Sequence, residues 1–221
     1  AASIAHEINN PLEAIKNSLY LLSTKFQGED DDRRFLEIAN RETERVSVII
    51  QQMLGFYRPS VSLAPVNVNV VLDDILMLLD KQLQKHRITV RKDLAPGLPL
   101  VMGHGDQLKQ VFLNMVLNNQ DAMPRGGTLS IRTGAANEAD AGGQNSRMVN
   151  VEFSDTGTGI APEILPHIFE PFFTTKAEKG TGLGLWVSFG IIQSHNGHIS
   201  VKSRADQGVT FTITLPVAAQ A

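Results

Sequence analysis

There is no cysteine among the 221 residues. That excludes a disulfide framework and a thiolate metal site, and it fits a reducing compartment. No apolar run approaches the ~18 residues of a membrane-spanning helix, and no signal peptide is visible. A basic excess is missing as well: the formal net charge is −3, which argues against a general binder of nucleic acid or of an anionic membrane surface. Internal repeats are absent, and so are a G-x-x-x-x-G-K-[ST] loop and a dinucleotide fingerprint. What the chain does have is apolar material, 42 % of its residues, enough for a sizeable core and too much for global disorder. Its first residues, AASIAHEINN, already read as helix, so a fragment of a longer protein is expected.

Two long helices are predicted first. Ile4, Ile8, Leu12, Ile15, Leu19 and Leu22 recur at steps of three and four, the seam of a helix packed in a bundle. FQGEDDD supplies a turn, with Gly28 as breaker and acidic residues suited to the next helix N-terminus. Phe35, Ile38, Val46, Ile49, Met53 and Phe56 mark the second helix. Such a hairpin leaves an apolar face uncovered, so it is expected to pair with a second copy as a four-helix bundle. YRPSVSLAP breaks the pattern with two prolines, giving domains at 1–58 and 67–217 joined by a linker at 59–66.

Beyond the linker the pattern is mixed. Helices are predicted over VLDDILMLLDKQLQKH, GDQLKQVFLNMVLNNQDAM and GLWVSFGIIQSH. Strands are predicted over RITVRKDL, GTLSIRTG, RMVNVEFSD, GHISVKSR and VTFTITLP. AANEADAGGQNS, small and polar, is expected to be a mobile loop. The fold class is therefore α+β: a helical hairpin, then an α/β sandwich with a mixed sheet packed on helices.

Chemistry concentrates at a few places. His6 lies opposite the apolar seam with Asn10, Glu13 and Asn17, so it is expected to face solvent. Pro11 removes an amide and crowds the Glu7 carbonyl, loosening the turn beside His6. A neutral imidazole there can act as a nucleophile, with Glu7 to take its proton. On the helix from Gly105 to Met123, Gln107, Gln110, Asn114, Asn118 and Asp121 share a sector about 60° wide. Leu113 and Leu117 border it on one side, Val111, Met115 and Ala122 on the other. A polar stripe between apolar flanks suggests a polar-lined pocket, and amide oxygens there suit Mg²⁺. DTGTGI places Asp155 at a strand end before glycines that let backbone approach a ligand. KGTGLGL offers backbone amides leading into a helix N-terminus, a phosphate cradle with Lys176 and Lys179 nearby.

Together these stretches resemble the sensor histidine kinases of two-component signalling, over essentially the whole chain. HEINNPL is similar to the phosphoacceptor box and NMVLNNQDAM to the asparagine box. DTGTG, FEPFFTTK and GTGLGL are similar to the first glycine, phenylalanine and second glycine boxes, and GVTFTITLP to the C-terminal strand. The style is that of the nitrogen-regulation and oxygen-sensing branch. The resemblance implies ATP and Mg²⁺ as cofactors, with His6 phosphorylated by ATP and Glu7 as its hydrogen-bond partner and base. Asn118 would hold Mg²⁺, supported by Asn114 and Asp121. Asp155 would read the adenine amino group, helped through water by Thr210, with Gly157 and Gly159 shaping the pocket. Lys176 and the stretch Thr181, Gly182, Leu183, Gly184, Leu185 would cover the phosphates as a mobile lid, and mobility is expected between Thr174 and Gly182.

The resemblance further implies a homodimer through the hairpin and a cytoplasmic kinase core. The partner would be a response-regulator receiver domain whose aspartate takes the phosphoryl group. Glu7 and Asn10 match the E-x-x-N pattern that the family uses to position water for dephosphorylating that partner. Three departures stand out: Asn119 where alanine is common, Thr156 where asparagine is frequent, and HNGH in place of His-Gly-Gly. Two other readings remain. A GHKL-type ATPase or chaperone shares the ATP fold, but has no need of an exposed histidine on a hairpin. A non-catalytic docking scaffold would not need intact Asn118, Asp155 and glycine boxes. His86, His104, His167, His195 and His198 are expected to be structural or surface residues, and Trp186 to lie in the core.

Overall fold

The computed structural model describes residues 13, 15–24, 34, 36–41, 43, 63–139, 145–176, 181–203 and 207–218. The chain divides into two compact units. One is Ala1–Pro59 with Thr174–Leu183, the other Ser60–Phe173 with Gly184–Ala221. In the first unit, residues 15–24 and 36–41 are helical, in line with the periodicity. Ile15 and Leu22 are about half exposed. His6, Glu7 and Asn10, and the remaining seam residues at 4, 8 and 12, lie outside the described residues.

The second unit begins with a short strand, β1 (Ala64–Val66), then helix α1 (Val68–Lys85) and strands β2 (Ile88–Leu94) and β3 (Val101–Gly103). Helix α2 (Gly105–Ala122), strands β4 (Gly127–Ala139) and β5 (Asn145–Asp155), and a 3₁₀ turn (Leu165–His167) follow. Helix α3 (Gly184–Ser194) and strands β6 (His198–Ser203) and β7 (Val209–Pro216) complete it. The main sheet has the order β2-β4-β5-β7-β6, with β2 and β4 parallel and every other neighbour antiparallel.

Alternation along the strands decides which face is covered. Leu129 and Ile131 of β4, Val149, Val151 and Phe153 of β5, and Phe211, Ile213 and Leu215 of β7 are buried. Their sheet neighbours Arg132, Glu152, Ser154, Thr210 and Thr212 are half-buried or exposed. The helices supply the other half of the core. α1 buries Leu72, Ile75, Leu76, Leu79 and Leu83 at helical spacing, and its first turn is capped by Asn67, whose Oδ1 accepts from the amides of Asn69 and Val70. α2 buries Val111, Phe112 and Met115, and the rings of Phe112 and Phe153 meet at 5.8 Å between centroids.

Three expectations change. Residues 64–66, assigned to the linker, form β1 and pair antiparallel with Val101–Gly103; Val66 is buried there, a gain that a proline-rich stretch concealed. Residues 135–139 and 145–146, expected in a loop, extend the β4–β5 ladder out to Ala139 opposite Asn145. That ladder is held by backbone groups, which do not need apolar side chains. Trp186 is half-buried rather than in the core. No helix among the described residues is long and apolar enough to cross a membrane.

Candidate nucleotide site

Asp155 ends β5 on the covered face of the sheet, opposite Leu129, and is 5 % exposed. Its Oδ1 accepts from the backbone amide of Gly157 at 2.8 Å and of Val209 at 3.3 Å. Among the described residues nothing donates to its Oδ2. Burial raises the carboxyl above its ordinary value, and the two amide hydrogen bonds offset part of that rise. A buried carboxylate with one oxygen held and the other open is an acceptor poised for an N–H donor.

The backbone around it is built close. A Cβ on Gly157 would lie 2.4 Å from the Ala122 carbonyl oxygen, and one on Gly208 would lie 1.9 Å from the Asp155 carbonyl oxygen. Only glycine allows α2, the end of β5 and the start of β7 to converge at this point. Thr158 donates its amide to the Ala122 carbonyl at 3.1 Å, and Gly159 takes a φ of +70°. The Ile160 amide donates to Ser203 Oγ, which in turn donates to the Gly208 carbonyl, fastening the glycine turn to the β6–β7 connection.

Thr210 does not join this group. It is the direct partner of Ser154 in the β5–β7 ladder, and the two hydroxyls lie 2.8 Å apart. Being one residue from Val209, it emerges on the opposite sheet face from Asp155. The residue that reaches Asp155 from β7 is Val209, through its amide.

On α2, Gln107, Gln110, Asn114 and Asn118 are half-buried and Asp121 is exposed, while Val111 and Met115 are buried. The stripe is a graded polar edge rather than a sealed pocket. Asn114 Nδ2 donates to the Gly184 carbonyl and to Ser188 Oγ, both at 3.3 Å. Gln107 Oε1 is buried without a partner among the described residues. Asn118 and Asp121 each have a further interaction. Asn119 is 1 % exposed. Its Nδ2 donates to the Met115 carbonyl at 2.7 Å, and its Oδ1 has no partner among the described residues.

Of the cradle, Lys176 donates its amide to Thr174 Oγ1, and Leu183 donates to Thr181 Oγ1. Gly182 has a φ of +68°. Gly184 and Leu185 open α3. Residues 177–180, including Lys179, lie outside the described residues.

Sequence reasoning missed Ser188, Gly208 and Val209. Ser188 carried a signal: a serine four residues after Gly184, inside the apolar run GLWVSFGII, is a polar group bound for burial, and it is fully buried. Val209 carried none, because it acts through its backbone.

A mixed sheet with its helices on one face, and a carboxylate waiting at a strand end beside glycine turns, define a nucleotide-binding α/β sandwich. Residues 103–219 match the family described as histidine kinase-, DNA gyrase B-, and HSP90-like ATPase, and residues 1–60 match the His Kinase A (phospho-acceptor) domain. The chain is 36 % identical over 218 residues to sporulation kinase A of Bacillus subtilis, covering 98 % of this chain and 34 % of that kinase. It is 36 % identical over 221 residues to sensor histidine kinase ZraS of Salmonella typhimurium, covering 100 % of this chain and 46 % of that one. The crystal structure of histidine kinase ThkA in complex with response regulator protein TrrA matches with a TM-score of 0.65 at 25 % identity, covering 98 % of this chain and 60 % of that chain. The chain belongs to the histidine kinases. It spans less than half the length of these two curated relatives.

Proposed function

We propose that this chain is the core of an ATP-dependent protein-histidine kinase that phosphorylates its own His6 and passes the phosphoryl group to a response-regulator aspartate. The observation that carries the ATP site is Asp155: buried, held through Oδ1 by two backbone amides, and open at Oδ2. An adenine amino group is the donor such an atom would take. Gly157 and Gly159 bring the backbone close to the base. Lys176 and the stretch Thr181, Gly182, Leu183, Gly184, Leu185 would cover the phosphates. Thr210 has no part in base recognition in this reading.

The chemistry of the α2 donors suits Mg²⁺. Asn118 would hold it, with Asn114 and Asp121 in support; these are oxygen donors, and the Asn114 amide nitrogen is already engaged elsewhere. When bound, the ion would neutralise charge on the triphosphate. In the transfer, an imidazole nitrogen of His6 bonds to the γ-phosphorus as the bond to the ADP oxygen breaks, and Glu7 accepts the imidazole proton. The phosphoryl group then moves to the partner's aspartate carboxylate. Asn10, four residues after His6 in the sequence, would orient the water that dephosphorylates that partner.

Residues 1–58 would form the hairpin, dimerising with a second copy. The apolar seam left open at Ile15 and Leu22 supports this. The test is His6→Gln with labelled ATP: acid-labile label should disappear while ATP binding stays. Label retained at the level of the unsubstituted protein would refute the assignment.

A further inference from the structure

Asn114 can place either its amide nitrogen or its amide oxygen against α3, and the neighbours decide which. Ser188 Oγ donates its only hydrogen to the Gly184 carbonyl at 2.9 Å, so towards Asn114 it can only accept. The Gly184 carbonyl is itself an acceptor. Both groups lie 3.3 Å from the same Asn114 atom. Nitrogen satisfies the two together; oxygen would be set against two acceptors. Once Nδ2 is spent on α3, Oδ1 is turned away from it, and among the described residues nothing donates to Oδ1.

We propose that Ser188 is a positioning residue that fixes the amide orientation of Asn114, so that this side chain offers an oxygen rather than a nitrogen towards the Mg²⁺ that would accompany the phosphates. The inference rests on the nucleotide site proposed above and adds to it a requirement on a buried serine that touches neither nucleotide nor metal. Partners that orient a ligand from behind are typically worth about 10-fold or more in metal affinity. Ser188 acts only through Asn114, so its contribution vanishes when Asn114 is gone.

The test is calorimetric titration of the whole chain with a non-hydrolysable ATP analogue, with Mg²⁺ and with EDTA. Ser188→Ala is expected to lose about 10-fold of the Mg²⁺-dependent affinity, with the metal-free affinity and Tm unchanged. Asn114→Ala should lose at least as much, and the double variant no more than Asn114→Ala alone. In the nucleotide-free protein, the Asn114 side-chain amide protons should exchange faster with solvent in Ser188→Ala. Equal loss with and without Mg²⁺, no loss, a full additional loss in the Asn114→Ala background, or unchanged amide exchange would each overturn the proposal. Binding that is absent from the unsubstituted chain would instead overturn the nucleotide site itself, and this inference with it.

Discussion

The backbone amide of Val209 donates to Asp155 Oδ1 at 3.3 Å, joining residues 54 positions apart. With the Gly157 amide it occupies one carboxylate oxygen and leaves the other open. Because burial raises this carboxyl above the ordinary aspartate value of 3.8, the unfolded chain gives up the proton first as pH rises. The group's contribution is therefore full below that value and declines as pH climbs through the folded one, so at neutral pH, well above 3.8, Asp155 costs stability. Asp155→Asn keeps an acceptor for both amides and removes the buried charge. It should fold with unchanged or higher Tm, yet lose about 10- to 100-fold in nucleotide affinity, the worth of one charge-assisted hydrogen bond. Thermal melts beside calorimetry check both halves; a variant that binds normally would remove Asp155 from base recognition.

Gly208 should tolerate no side chain. Its φ is +82°, and a Cβ there would meet the Asp155 carbonyl oxygen at 1.9 Å. Gly208→Ala is expected to cost roughly 2 kcal/mol or more, since backbone strain and a rigid neighbour add. Gly134 serves as the control: its φ is not positive, and an added Cβ would meet nothing within 4 Å. Gly134→Ala should leave Tm nearly unchanged. Similar melts for the two variants would contradict the packing described at the end of β5.

Asn118 and Asn119 are adjacent and should behave oppositely. Asn119 is buried with its Oδ1 unpaired among the described residues, and its Nδ2 donates to a carbonyl of its own helix. Asn119→Ala removes that unsatisfied oxygen and is expected to be within about 1 kcal/mol of neutral, or slightly stabilising, with activity retained. Asn118→Ala, at a half-buried position, should fold but lose Mg²⁺-dependent turnover. Paired melts and autophosphorylation assays decide; inactivity of the Asn119 variant alone would shift the register of the site by one residue.

His195 is expected to make stability fall in mild acid. Its Nδ1 donates to the Ile191 carbonyl at 2.7 Å, and its Nε2 accepts from the His104 amide at 3.0 Å. A second proton would set an N–H against an N–H. Burial lowers the imidazole below its ordinary value of 6.5; the Ile191 carbonyl works against that shift, and His104 adds to it. Between the two values the unfolded chain binds the extra proton, so this contribution is full above about pH 6.5 and is lost as pH falls through the folded value. Denaturant titrations from pH 8 to 5 should show the decline, and His195→Gln should flatten it. An equal slope in the variant would assign the acid sensitivity elsewhere.

Element type, order and the stretches that meet at the site were legible in the sequence. Periodicities of 3.6 and 2 report which faces are apolar, and burial follows apolarity, so α1, α2 and the five long strands fall where the pattern put them. Glycines and a carboxylate at a strand end also announce themselves, because few other residues can serve there. What lies beyond reach is whatever backbone decides. β1 against β3, and the extension of β4–β5 to residue 139, depend on pairing partners that no side-chain pattern encodes. Thr210 and Val209 differ by one position, and only the register of β7 against β5 decides that the hydroxyl leaves the site and the valine amide enters it. The orientation of Asn114 is settled by a serine 74 residues away, since an amide looks the same in sequence whichever end it presents. Sequence thus determined which groups are available, through their chemistry and spacing; tertiary structure alone decided which atom of each faces which, because hydrogen bonds are directional and a strand reverses its faces at every residue.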